Sequence, residues 1–125
     1  GNFALMAPDI PQVIRHFAAR NAIHFVHFRD VRGTPEKFEE VFHDEGQTDM
    51  LEAMRTYLDV GFDGPMRLDH APTMAGEGND QPGYEILGRL FATGYMTGLR
   101  EAAIKDLARE APGNAAAPRC SIPGR

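Results

Sequence analysis

The sequence predicts an α/β fold, and three observations carry that expectation. Ala22–Phe28 is a short run dense in Ile, Phe and Val, the composition of a strand buried on both faces. It follows almost without a linker on Asp9–Arg20, where Ile10, Val13, Ile14 and Phe17 recur at helical spacing. A helix running straight into a strand is half of a βαβ unit. A second short strand, Met66–Leu68, repeats the plan of the first. One run delivers His27, Arg29 and Asp30 at its end, the other Asp69 and His70. Open α/β sheets and α/β barrels put their chemistry at the carboxyl ends of strands, so these two ends form the candidate site.

Composition sets the outer bounds. A chain of 125 residues has room for one modest domain, and 42% hydrophobic with 25% charged residues excludes wholesale disorder. The net charge of −5 argues against a nucleic-acid or anionic-membrane partner, which would call for a basic surface. No apolar run approaches the roughly 20 residues that cross a bilayer, and the opening residues lack the basic-then-apolar pattern of a secretory leader. The single cysteine, Cys120, excludes an internal disulfide framework and fits a cytoplasmic location.

Along the chain, Gly1–Met6 reads as the tail of an earlier element. Asp9 can cap the first helix, whose opening turn tolerates Pro11 because an early proline costs no intrahelical donor. After the first strand, Arg29–Pro35 is turn-like. Lys37–His43, with Phe38, Val41 and Phe42 beside Glu36, Glu39 and Glu40, fits a short strand or a helical turn equally. Thr48 or Asp49 caps a helix carrying a Met50, Leu51, Met54 and Leu58 stripe, and Gly61 is placed to end it. Ala71–Pro82 is a polar loop long enough to be functional. Gly83–Glu110 is a long helical segment with Ile86, Leu87, Leu90, Phe91, Met96, Leu99, Ile104 and Leu107 as apolar positions. Gly88, Gly94 and Gly98 weaken it unless they allow close approach to another backbone. Residues 1–110 thus form one domain of βα units, and 111–125, rich in Ala, Pro and Gly, read as a disordered tail.

Neighbouring parallel strands lie about 4.8 Å apart, so His27 and Asp69 at adjacent strand ends can converge on one ion. Imidazole with carboxylate suits a divalent first-row metal such as Mn, Fe or Zn. His24, three residues before His27, falls on the opposite face and is expected to pack against a helix. His70 is either a loop histidine or an acid/base group beside the metal. His43, next to Asp44 and Glu45, reads as a solvated loop residue able to close over the site. Arg29 and Arg67 either bind a substrate carboxylate or pair with Asp30 and Asp69. His16 needs no special role, and Asp44, Glu45 and Asp49 lack the spacing of a calcium loop.

Four ordered stretches then acquire a collective meaning: Phe25–Val31 (FVHFRDV), Phe42–Met50 (FHDEGQTDM), Pro65–His70 (PMRLDH) and Gly83–Leu90 (GYEILGRL). In order and spacing they resemble the C-terminal part of mannonate dehydratase, over about Gly1 to Ala102. The resemblance implies the C-terminal portion of a TIM-type (β/α)8 barrel, incomplete as given, since a whole barrel takes about 250 residues. It implies a metal-dependent lyase that converts D-mannonate, a small sugar acid, to 2-dehydro-3-deoxy-D-gluconate in hexuronate breakdown. Mn2+ or Fe2+ is the implied cofactor, and a homo-oligomer the implied state of the full-length family. His27 and Asp69 match metal ligands, His70 and Tyr84 match proton-transfer positions, and Arg29, His43 and Arg67 fall in substrate-facing loops. The remaining ligands, a cysteine and a histidine, are expected on earlier strands, and Cys120 lies outside the matched region. Leu68 stands where the family commonly has proline. The 125-residue chain alone is therefore expected to be inactive and prone to associate through open strand edges. The alternative is a non-catalytic α/β module that survives by association.

Overall fold

A computed structural model describes residues 2–111. Within them the chain forms an α/β fold of four helices and two small sheets. In order these are α1 (Asn2–Met6), α2 (Ile10–Ala18), β1 (Val26–Phe28), β2 (Asp30–Thr34), β3 (Lys37–Val41), α3 (Met50–Asp59), β4 (Met66–Leu68) and α4 (Ile86–Glu110). The expected tail at 111–125 and Cys120 lie beyond these residues, apart from Ala111. No helix among the described residues is long and apolar enough to cross a membrane.

The helices begin where the side chains allow. Asp9 accepts the Gln12 N–H at 2.9 Å and Asp49 accepts that of Glu52 at 2.8 Å, each filling an orphan donor of a first turn. Asp49, rather than Thr48, is the cap. Gly61 ends α3 at φ 71°, as expected of a left-handed terminator. The start of α4 is satisfied from outside the helix. Glu77, in the preceding loop, accepts the Leu87 N–H at 2.5 Å while also accepting that of Met74 at 2.9 Å.

β1 and β4 pair in parallel, with Val26 opposite Met66, His27 opposite Arg67 and Phe28 opposite Leu68. The ladder extends at both ends, from Val26 N–H to Pro65 carbonyl and from Asp69 N–H to Phe28 carbonyl. Val26 and Phe28 are buried against Ile14, Met50, Ala53, Met54 and Tyr57, and Ala103 of α4 completes that core. Each large side chain so enclosed contributes about 1.5–3 kcal/mol. Arg55 bridges α3 to the far end of α4 through Glu110, at 2.8 and 2.9 Å.

Three details differ from the sequence reading. The paired part of the first strand is only three residues long, and its faces alternate rather than both being buried: Phe25 is 48% exposed and His27 is exposed as well. His24 is exposed before the strand rather than packed on a helix. The Arg29–Pro35 segment is a strand as well as a turn. It forms β2, which pairs antiparallel with β3, and so Lys37–Val41 is settled as strand. Local pattern hid this hairpin because its only buried residues, Asp30, Val31 and Val41, sit at the end nearest the main sheet.

Candidate functional site

Alternation along the parallel pair decides which side chains meet. Val26 and Phe28 point to the helices, so His27 and, two residues on, Arg29 line the other face. Arg67 is the register partner of His27, and Asp69 follows two residues later. The convergence expected from sequence is present. His27 Nδ1 lies 3.2 Å from Asp69 Oδ2, Arg29 Nε 3.4 Å from the same oxygen, and Arg67 Nη2 3.6 Å from Oδ1. Asp69 itself is 6% exposed. His70 Nε2 stands 3.8 Å from Oδ1 as well, so four cationic or potentially cationic groups hold this buried carboxylate from several sides.

His70 lies beyond the end of β4, in the loop that follows it. Its Nε2 is 2.6 Å from the Tyr84 hydroxyl, the rings meeting edge-on with centroids 4.8 Å apart. Its Nδ1 is 2.5 Å from Glu40 Oε2, and the other oxygen of Glu40 is bonded to Arg29. Tyr84 is placed by a turn in which its N–H donates to the Gln81 carbonyl. The preceding Gly83 has φ 85°, and a Cβ there would meet His70 Cβ at 3.3 Å, so backbone and packing both favour glycine. Glu40 was missed in the sequence, where Glu36, Glu39 and Glu40 look like a solvated run. The available signal was its register partner, the fully buried Val31.

His43 departs from its expected place. It is wholly enclosed rather than solvated, and its Nε2 meets the Phe28 carbonyl at 2.8 Å. That carbonyl also accepts the Asp69 N–H, so His43 pins the end of β1 beneath the site. Burial lowers its pKa below the ordinary histidine value, outweighing the Phe28 bond and the field of Asp30. Among the described residues its Nδ1 has no hydrogen-bond partner. Asp30, also enclosed, is no partner of Arg29 but a backbone brace, accepting the N–H groups of Val31 at 2.9 Å and Thr48 at 3.2 Å.

For a metal ion, the donor set present is His27 and Asp69. Two donors on adjacent corners of a coordination sphere with bonds of about 2.1 Å sit about 3 Å apart, and the observed 3.2 Å matches that spacing. Among the described residues, no group of three His, Cys, Asp or Glu side chains is arranged to hold a metal. The two therefore fit as part of a site.

The family model described as D-mannonate dehydratase (UxuA) matches residues 1–110. Mannonate dehydratase 2 of Halalkalibacterium halodurans is 38% identical over 99 residues, which are 77% of this chain and 28% of that protein. The mannonate dehydratase of Thermotoga maritima is 38% identical over 97 residues, 75% of this chain and 27% of that protein. Among solved structures, the mannonate dehydratase from Streptococcus suis serotype 2 superposes with a TM-score of 0.73 at 29% identity, over 79% of this chain and 29% of that one. The chain thus spans a little over a quarter of the length of these relatives. It belongs to the D-mannonate dehydratase family.

Proposed function

We propose that this chain supplies part of the active site of a metal-dependent mannonate dehydratase, which removes water from D-mannonate to give 2-dehydro-3-deoxy-D-gluconate. The carrying observation is the cluster itself: within a chain of this family, Asp69, His27, His70 and Tyr84 meet on one side of a parallel strand pair. The β1–β4 pair, backed by α3 and α4, would be one sector of a TIM-type barrel, with the cluster at the carboxyl ends of its strands.

In this reading His27 and Asp69 would hold Mn2+ or Fe2+ together with ligands from outside the described residues. A divalent ion there would polarise the substrate carboxylate and make the proton on C2 acidic. The rest falls to the chain's own residues. Dehydration must take a proton from C2 and give one to the departing C3 hydroxyl, and the hydrogen-bonded His70–Tyr84 pair can hold and pass a proton between Nε2 and Oη. Tyr84 is 42% exposed, so it is the member of the pair open to substrate. Arg67, bonded through Nε to the Leu68 carbonyl, also meets Asp69 through Nη2 at 3.6 Å. It is far more exposed than Arg29, which Glu40 and Asp69 hold in a largely enclosed place, so Arg67 is the arginine more open to the substrate carboxylate. The enclosed His43 acts beneath the site through the Phe28 carbonyl rather than on substrate. The reading as a mere association module draws no support from this polar cluster.

The test is a transplant. Residues 1–110 replace the matching segment of the Halalkalibacterium halodurans enzyme, and the purified chimera is assayed with Mn2+ and D-mannonate for 2-keto acid. Turnover that disappears in Asp69→Asn is expected; a folded chimera without turnover would refute the assignment.

A further inference from the structure

We infer that Phe25 is a positioning residue for His27: its ring holds the imidazole in the orientation that lets His27 and Asp69 share an ion. Phe25 stands one residue before β1 and, by alternation, falls on the same face as His27. The two rings meet edge-on, with centroids 4.8 Å apart and planes at 83°, an arrangement that the charge distribution of aromatic rings favours. Burial does not account for this phenylalanine. The core lies on the opposite face, where Val26 and Phe28 are 6% and 4% exposed, whereas Phe25 is 48% exposed on the face that carries the site. A ring so placed loses little contact with water, and its gain is the contact with His27.

His27 is thereby held from two sides. Asp69 Oδ2 stands 3.2 Å from its Nδ1, and nearly half of the side chain remains open. The Asp69 contact cannot fix the imidazole for a metal by itself, because an ion bound by both residues would take up the space in which they now face each other. The contact with Phe25 involves ring edge and face and needs neither nitrogen, so binding of an ion leaves it intact. A histidine released from it spreads over the staggered χ1 wells. Apparent affinity then falls in proportion to the fraction left in the competent well.

The metal half of this inference rests on the dehydratase reading; the rotamer half does not. Three-bond couplings sensitive to χ1, measured on the full 13C,15N-labelled chain without metal, report the His27 side chain. Cross-relaxation between the two rings reports their contact, and His27→Gln identifies the signals. A single χ1 well and a ring-to-ring cross peak are expected in the parent chain. Phe25→Leu, which keeps apolar bulk without the ring, should give averaged couplings, and Phe25→Tyr should retain the parent pattern. In water-proton relaxation, Mn2+ affinity should fall about 2- to 10-fold in Phe25→Leu and stay close to the parent in Phe25→Tyr. Phe38→Leu, which alters a similarly exposed ring on β3, should leave the affinity unchanged. Averaged His27 couplings in the parent chain overturn the proposal, even if Phe25→Leu does not fold. Unchanged couplings in a folded Phe25→Leu overturn it equally. An affinity loss that Phe38→Leu matches would trace the effect to general stability and also overturn it. A parent chain without measurable Mn2+ binding would count against the metal reading, while the couplings would still decide the role of Phe25.

Discussion

The Tyr84 hydroxyl and Nε2 of His70, 14 positions apart in the chain, approach to 2.6 Å across a turn that only the Gly83 backbone can make at φ 85°. Tyr84→Phe removes the oxygen and leaves the edge-on ring contact. Because the ring is half exposed, stability should change by less than about 0.5 kcal/mol, whereas kcat of the chimera should fall by about 100- to 10,000-fold. Steady-state assays beside a urea titration separate the two; turnover within a few-fold of the parent would remove Tyr84 from proton transfer.

Asp69 and Arg67 should act on metal binding with opposite signs. If Asp69 holds the metal as proposed, Asp69→Asn removes a charged ligand and should weaken Mn2+ binding about tenfold or more. Arg67→Gln removes a cation 3.6 Å from that carboxylate and should strengthen it. Water-proton relaxation with the full chain and Mn2+ reads both. Weaker binding in Arg67→Gln would contradict the arrangement.

His43 predicts a pH dependence of stability. Its folded pKa lies below the ordinary 6.5 because burial disfavours the cation. The unfolded chain therefore binds the proton first. Stability contributed by this site is full above about 6.5 and declines as pH falls through the interval between 6.5 and the lower folded value. Urea midpoints should drop between pH 7.5 and 5.5, and the drop should shrink in His43→Gln. An equal drop in both proteins would show that other groups dominate.

The glycines of α4 should separate by surroundings. A Cβ on Gly88 would run into the Pro72 carbonyl, where the helix crosses the loop after β4, while one on Gly94 or Gly98 would meet nothing within 4 Å among the described residues. Gly88→Ala should destabilise by about 1–3 kcal/mol, and Gly94→Ala should stabilise by up to about 1 kcal/mol. Thermal melts of the two variants give the signs.

Helices α2 and α3 were legible because apolar period and cap agree, with Asp9 before Ile10 and Asp49 before Met50, and Gly61 closes α3. Helix α4 was legible from its length and apolar content alone, since its N-cap residue, Glu85, makes no side-chain capping bond. The β2–β3 hairpin was not, since Phe38 is 44% exposed while Val41 is buried, and a strand pattern needs a consistent face. His27, Arg67 and Asp69 could be foreseen because alternation and parallel pairing are local rules with fixed spacing. Glu40 could not, for its meaning lies in a contact with His70 that only the folded hairpin creates. His43 was misplaced for a related reason: acidic neighbours in sequence say nothing about the strand end that covers it.

The grip of Glu77 on both Met74 and the start of α4 has a further consequence for the stretch that carries Tyr84. One long connection is divided into two smaller closures, and Tyr84 rides in the second. The entropy of closing a loop grows only weakly with its length, so releasing Glu77 would cost the fold chiefly the bonds it makes to the start of α4, about 1 kcal/mol, while widening the range over which the phenol wanders. The tether thus offers a place where the mobility of Tyr84 can be tuned by one side chain, with the sheet beneath it left as it is.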